Sequence, residues 1–178
     1  MTDAAAPDAA ADLLERALVE EATKKSGLVW VRGDGPARAV WHVWHDGAAL
    51  LVGGGPGEQP LPQGLTDGGR AEVTVRSKDK GGRIVAWSAA CRFLPPRSEE
   101  WEAAVAELKG KRLNAPDAES MPERWARECT VVRLAPDTVS TALPDSSLAA
   151  VPLPTGATTR RPAPAALPRL LLKRRRKG

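Results

Sequence analysis

The sequence predicts a mainly β fold with flanking helices (α+β), in which an antiparallel meander curls into a small barrel. The first observation behind this is the stretch Arg38 to Gly55, RAVWHVWHDGAALLVGGG. Two β-rich runs flank Asp46-Gly47 there, a dipeptide that accepts the positive φ angles of a tight hairpin turn. The second is that GLVWVRG, AEVTVRS and RIVAWSAACRFL prolong the same pattern on either side of it, which favours a barrel over a helical bundle. The third is length: 178 residues suffice for one domain with a proper core plus a tail, and would be cramped as two.

From the N-terminus, residues 1–12 are Ala-rich with scattered Asp and read as a flexible lead into a helix that continues through Ala22, with Leu14, Ala17 and Leu18 as its buried stripe. Ser26-Gly27 predicts its stop, with glycine in the left-handed conformation. A strand follows from Leu28 to Val31. After the turn formers Gly33-Asp34-Gly35-Pro36, a second strand should run from about Ala37 to His45. Alternation sets Arg38, Val40, His42 and Trp44 on one face and Trp41, Val43 and His45 on the other. Both faces are partly apolar, as in a strand buried on two sides.

The strand ending in Val52 empties into GGGPGEQPLPQG, too rich in Gly and Pro for regular structure. Glu72 to Arg76 and Arg83 to Leu94 read as strands joined by the charged turn Ser77–Gly82, and Pro95-Pro96 ends that ladder. Ser98 then caps a helix with Glu99 and Glu100 in its first turn and Trp101, Ala104, Val105 and Leu108 facing inward. A short helix over Glu123–Glu128, with Pro122 near its first turn, precedes a closing strand from Cys129 to Leu134. The folded domain is placed at 13–138. Residues 139–178, dominated by Pro, Ala, Ser and Thr, hold too little apolar surface to offset chain entropy and are expected to be disordered.

Charge is unevenly spread. Eight of the 26 Lys and Arg lie from Val139 onward, against one of the 22 Asp and Glu, so the part before the tail is mildly acidic. The sequence pI near 9.4 therefore belongs to the tail and is no sign that the barrel grips nucleic acid. Its end, LPRLLLKRRRKG, joins leucines to five consecutive basic residues and can attract nucleic acid or an anionic membrane, without aromatics to read sequence. Cys91 and Cys129 form no CxxC pair and nothing resembles an export signal, so reduced thiols in a cytoplasm are expected. No apolar run approaches the ~20 residues that span a bilayer.

Candidate chemistry is sparse. His42 and His45, the only histidines, fall on opposite strand faces and cannot readily share a metal, so no metal site is predicted. His42 shares a face with Arg38 and Trp44 and can donate to a polar atom, or serve as a hydrogen-bonded structural histidine. Gly53, Gly54 and Gly55 can offer amide N–H groups to a phosphate, although the stretch lacks the GxxxxGKS pattern. Lys78 and Lys80 lie in a charged turn that serves as solvated surface or as a phosphate contact. Of the six tryptophans, Trp30, Trp87, Trp101 and Trp125 sit in apolar periodic patterns and read as core.

Taken in order, an opening helix, the strand starting Arg38-Ala39-Val40, the Asp-Gly hairpin, AALLVGG, the long pair AEVTVRS and RIVAWSAACRFL, a helix and TVVRLAP make the region from Leu13 to Val139 resemble the pyridoxamine 5′-phosphate oxidase-like, FMN-binding split β-barrel family. The resemblance implies a split β-barrel homodimer with FMN or a deazaflavin coenzyme at the interface. The ring would lie along Arg38, Val40, His42 and Trp44, and the phosphate would meet Gly53 to Gly55. Where members follow this strand with Arg or Lys, this chain has Glu58-Gln59, and a carboxylate repels a dianion; Arg76, Lys78 or Lys80 would have to supply the missing charge. A deazaflavin, haem or no cofactor are the alternatives at that point. The function implied is a flavin-type oxidoreductase acting on a small molecule, with His42 as proton donor. The alternative is a non-catalytic split-barrel binding or interaction module carrying a polyanion-attracting tail.

Overall fold

The structure is a computed structural model. It describes residues 6–77, 82–113 and 117–140, with the side chains of residues 12–77, 82–113 and 117–138. Helix α1 (Ala6–Lys25) leads into β1 (Leu28–Arg32), β2 (Arg38–Trp41), β3 (Val43–His45), β4 (Ala48–Gly53), β5 (Arg70–Arg76) and β6 (Arg83–Leu94). Helices α2 (Glu99–Lys111) and α3 (Met121–Glu128) and strand β7 (Thr130–Ser140) follow among the described residues. The strands form one seven-stranded sheet in the order β2-β1-β5-β6-β7-β4-β3, antiparallel throughout.

This order closes a barrel. The two edge strands, β2 and β3, are halves of one segment separated only by His42, so the sheet must curl until its edges meet there. The single strand expected over Ala37–His45 is thus broken at its middle: Arg38–Trp41 pairs with β1, while Val43–His45 pairs with β4. The predicted alternation survives the break. Val40 and Trp44 face the barrel interior with Val29, Val31, Leu51, Val73 and Trp87, and Trp41 and Val43 face a second core under α2 and α3 with Leu50, Val52, Trp101, Leu108 and Trp125. Every residue of β4 is buried because it lies between those two cores.

Turn chemistry follows the sequence at the hairpin, where Asp46 (φ 45°) and Gly47 (φ 68°) take two successive positive φ angles and fix the β3–β4 register. Ser98 caps α2 by accepting a hydrogen bond from the Trp101 amide at 3.2 Å, and the four residues expected on its inner face are the buried ones. Helix α3 starts at Met121, two residues before the expected Glu123, with Pro122 in its first turn.

Four expectations are corrected. In α1 the stripe Leu14, Ala17 and Leu18 is exposed, Leu14 by 73%. The side chains that enter the barrel are Val19 and Thr23, because only the last two turns reach the sheet. The helix also begins at Ala6, ahead of the expected start, and ends without a positive φ at Gly27, its final turn closing through the Ser26 amide on Thr23 O at 3.1 Å. The closing strand does not stop at Leu134: β7 continues to Ser140. A bulge makes this possible, since between Ser88 and Ala89 the partner jumps from Thr138 to Pro136, and the proline needs no ladder hydrogen bond there. The skipped Asp137 takes Arg70 at 2.5 Å. Residues 141–178, which carry most of the expected tail, lie outside the described residues, as do Lys78 and Lys80. Among the described residues no helix is long and apolar enough to cross a membrane.

Candidate functional site

The rim predicted to seat a phosphate is formed where β4 runs out into Gly53, Gly54 and Gly55. The polypeptide turns sharply there, with Gly54 at φ 85° and Gly57 at φ 76°, and residues 54–61 fold back over the strand end. Gly54 N donates to Gln59 O at 3.0 Å. A Cβ on Gly53 would run into the Gln59 carbonyl and lie 3.0 Å from Leu61 Cδ2, and one on Gly55 would run into the Glu128 carbonyl. Glycine is required at both positions because the protein's own backbone comes close.

Gln59 completes the barrel at the point where the sheet splits. Its amide accepts from Trp41 N at 2.8 Å, and donates to Trp41 O at 2.9 Å and to Val52 O at 3.2 Å. Trp41 is the last residue of β2 and Val52 lies near the end of β4, so one side chain serves backbone groups that no neighbouring strand reaches.

Glu58 goes into the protein instead of out to solvent. Its side chain is 0% exposed. Oε1 accepts from Arg124 Nη2 at 3.0 Å and from the Trp125 indole Nε1 at 2.9 Å, while Oε2 lies 3.3 Å from Arg112 Nη2. The same arginines clamp the loop backbone, Arg124 Nη1 donating to Pro56 O at 2.7 Å and Arg112 Nη2 to Gly57 O at 3.1 Å. Asp117 balances the second guanidinium, accepting from Arg124 Nε at 2.6 Å. That hydrogen bond holds the Asp117 carboxyl below the usual carboxylate range and, together with Glu58, raises the proton affinity of Arg124. Two cations and two carboxylates meet here, so the carboxylate expected to repel a phosphate is matched by charges from the C-cap of α2 and from α3. Glu58 stood out in the sequence only as an acidic residue in the wrong place. Nothing local linked it to Arg112, Arg124 and Trp125, more than fifty positions away.

The other predicted residues are dispersed. Val40 is 1% exposed inside the barrel and offers no free wall to a planar ring, while the half-buried Trp44 meets Trp87 edge-on with ring centroids 6.2 Å apart. Arg38 is exposed and lines a cleft of about 370 Å³ with Trp30, Pro36, Ala39 and Gln63. Arg76 stacks on Trp30, its guanidinium carbon 4.2 Å from the ring centroid. It cannot supply charge to the glycine rim in the same chain. Arg76 pairs with Arg83 at the start of β6, whereas Gly53 pairs with Thr130, beside the Val131 that pairs with Leu94 at the end of β6. The two places are separated by roughly 35 Å of strand at ~3.3 Å per residue.

His42, expected as a proton donor, is a tie between barrel and helix. Its Nε2–H donates to Thr23 O at 3.0 Å near the end of α1, and its Nδ1 is buried without a hydrogen-bond partner. Burial pushes its pKa below the ordinary 6.5, against the opposing effect of the Thr23 bond. Because the folded value is the lower one, the neutral ring contributes stability that is complete above pH 6.5 and is lost as pH falls through the folded pKa. Thermal melts of His42→Gln between pH 7 and 5 are therefore expected to decline less steeply than those of the wild type; parallel curves would remove His42 from this role. His45 lies apart, its Nδ1 3.9 Å from Glu107 of α2.

The thiols offer no activated nucleophile. Cys91 is pushed up to about 11 by burial and then by Asp67, and burial also raises Cys129. Both cysteines are free. Among the described residues no group of three or more His, Cys, Asp or Glu side chains could hold a metal ion. Of the residues first assigned to a flavin or deazaflavin, Val40 is core and Gly53 lies against Gln59 and Leu61, the cations nearest the rim hold Glu58, and Arg38 is exposed at the 370 Å³ cleft.

No protein-family model matches the chain, and no curated protein matches it. Solved structures do. The haem storage protein HutZ from Vibrio cholerae aligns at 10% identity over 67% of this chain and 88% of its own, with a TM-score of 0.49. An F420 reductase aligns at 12% identity over 68% and 95%, with a TM-score of 0.41. A candidate pyridoxamine 5′-phosphate oxidase from Corynebacterium glutamicum aligns at 15% identity over 67% and 83%, also with a TM-score of 0.41. Proteins of the pyridoxamine 5′-phosphate oxidase-like kind thus stand among the structures similar to this split barrel. At such identities and TM-scores, the ligands in their names carry no argument about this chain.

Proposed function

We propose that this chain is a non-catalytic split-barrel binding module, dimeric and cytoplasmic, whose basic C-terminal segment attaches it to polyanions. The observation that carries this reading is the filled rim, where Glu58 occupies the cationic cluster and Gln59 occupies the strand ends. The test is a titration of the purified full chain with FMN and with a deazaflavin, followed by absorbance and melting temperature. Neither ligand is expected to shift the melt, and a saturable shift or a tightly bound yellow chromophore would overturn the reading. Sedimentation is expected to give about twice the 18.9 kDa chain mass.

Attachment follows from the run Lys173–Lys177. Each phosphate neutralised adds about 0.7–0.9 to the slope of log affinity against log salt. Changing all five residues to alanine is thus expected to reduce that slope by about 4.5 on duplex DNA. An unchanged slope would remove the tail from binding.

One observation favours the oxidoreductase reading instead. Arg38, the residue first assigned to the cofactor, opens onto the 370 Å³ cleft beside the Trp30 ring. A flavin-type ligand held there would lose affinity in Arg38→Ala while the barrel stayed folded, because Arg38 is exposed at the strand start.

A further inference from the structure

We propose that Arg112, Arg124 and Trp125 form a binding site for a small oxyanion, a carboxylate or phosphate, and that Glu58 is its resident ligand, supplied by the chain itself. The donors converge as they would on a free anion. Arg124 Nη2 on α3 and the Trp125 indole N–H donate to Oε1 of the one carboxylate at 3.0 and 2.9 Å, and Arg112 at the C-cap of α2 forms an ion pair with its Oε2 at 3.3 Å, where Oε2 accepts no hydrogen bond. The site is sheltered, with Arg112 27% and Arg124 19% exposed and the carboxylate fully covered, so charge-assisted hydrogen bonds there are not diluted by water.

The charge count identifies what the site takes. Asp117 neutralises one of the two cations through Arg124 Nε. Without Glu58 the cluster keeps one net positive charge and an unpaired indole N–H, the complement of one small oxyanion. Glu58 reaches this position on a loop that turns at Gly54 and Gly57, and the loop backbone is itself tied down by the same arginines. An outside oxyanion therefore gains access when residues 54–59 leave, and the native chain is closed to it.

Glu58→Ala in the full-length protein removes the atoms of an acetate ion and tests the assignment. Its melting temperature is expected to fall by about 10 °C, as for a broken buried ion pair. Sodium acetate or inorganic phosphate is expected to restore about half of that loss saturably, relative to sodium chloride at equal ionic strength. The wild type is expected to respond to neither, and Glu58→Ala/Arg124→Gln is expected to lose the recovery. If Glu58→Ala does not fold alone, its refolding yield in acetate or phosphate against chloride reads the same quantity. Equal effects of all three salts, recovery that survives loss of Arg124, or a matching response in the wild type would overturn the proposal. These outcomes are independent of FMN binding by the wild type, so failure here and failure of the module reading are distinguishable.

Discussion

Gln59→Ala is expected to destabilise the protein by about 3 kcal/mol, near 1 kcal/mol for each of three hydrogen bonds lost. Trp41 N, Trp41 O and Val52 O are backbone groups at the split between the edge strands, and Gln59 is the side chain that reaches all three. Once it is truncated they stay partly buried behind residues 54–61, where water reaches them poorly and the desolvation cost persists. For a domain of this size the loss corresponds to roughly 10 °C in melting temperature. Glu would be a poor substitute, since a carboxylate accepts from Trp41 N but cannot donate to the two carbonyls. Gln59→Glu should therefore also melt early at neutral pH. A Gln59→Ala variant within a few degrees of the wild type would show that the split is held by other contacts.

Gly53→Ala is expected to cost a similar amount, about 3 kcal/mol, through overpacking. The added methyl would meet the Gln59 carbonyl and Leu61, and the first of these is backbone that cannot rotate away. Relief requires the loop to lift, which also breaks the bond from Gly54 N to Gln59 O. Both substitutions then act on the same event, the release of residues 54–61 from the strand end. The double variant is accordingly expected to cost little more than the worse single one, measured by urea denaturation. Strict additivity would mean that the loop does not move as a unit. By contrast Gly47→Ala should cost less, as its Cβ would enter open space and only its φ of 68° is unfavourable.

Both results bear on function as well as stability. A loop that could be lifted cheaply would leave the glycine rim open to a phosphate, as the sequence resemblance implied. A loop held by Gln59, Glu58 and two arginines makes the rim a structural joint.

The order of elements was legible in the chain because it rests on local physics. Alternation along Leu28–Arg32, Arg70–Arg76 and Arg83–Leu94, the positive φ tolerance of Asp46-Gly47, and the Ser98 cap each depend on residues within a few positions of one another. Periodicity even sorted Val40 and Trp44 from Trp41 and Val43 correctly. What it did not reveal is which face belongs to an interior. A ring-binding wall and a barrel core ask for the same apolar side chains, and only the curling of the sheet onto itself at His42 made Val40 core and packed the half-buried Trp44 against it.

The helix stripe failed for a related reason. Leucines at 14 and 18 have helical spacing, but burial depends on which turns reach the barrel, and Val19 and Thr23 are the ones that do. Sequence alone determined the strands, turns and caps of this protein, because those are set by interactions between near neighbours in the chain. Tertiary structure decided the site, since the meaning of Glu58 depends on Arg112 and Arg124, and a charge at close range is governed by distance in space, whatever the separation along the polypeptide.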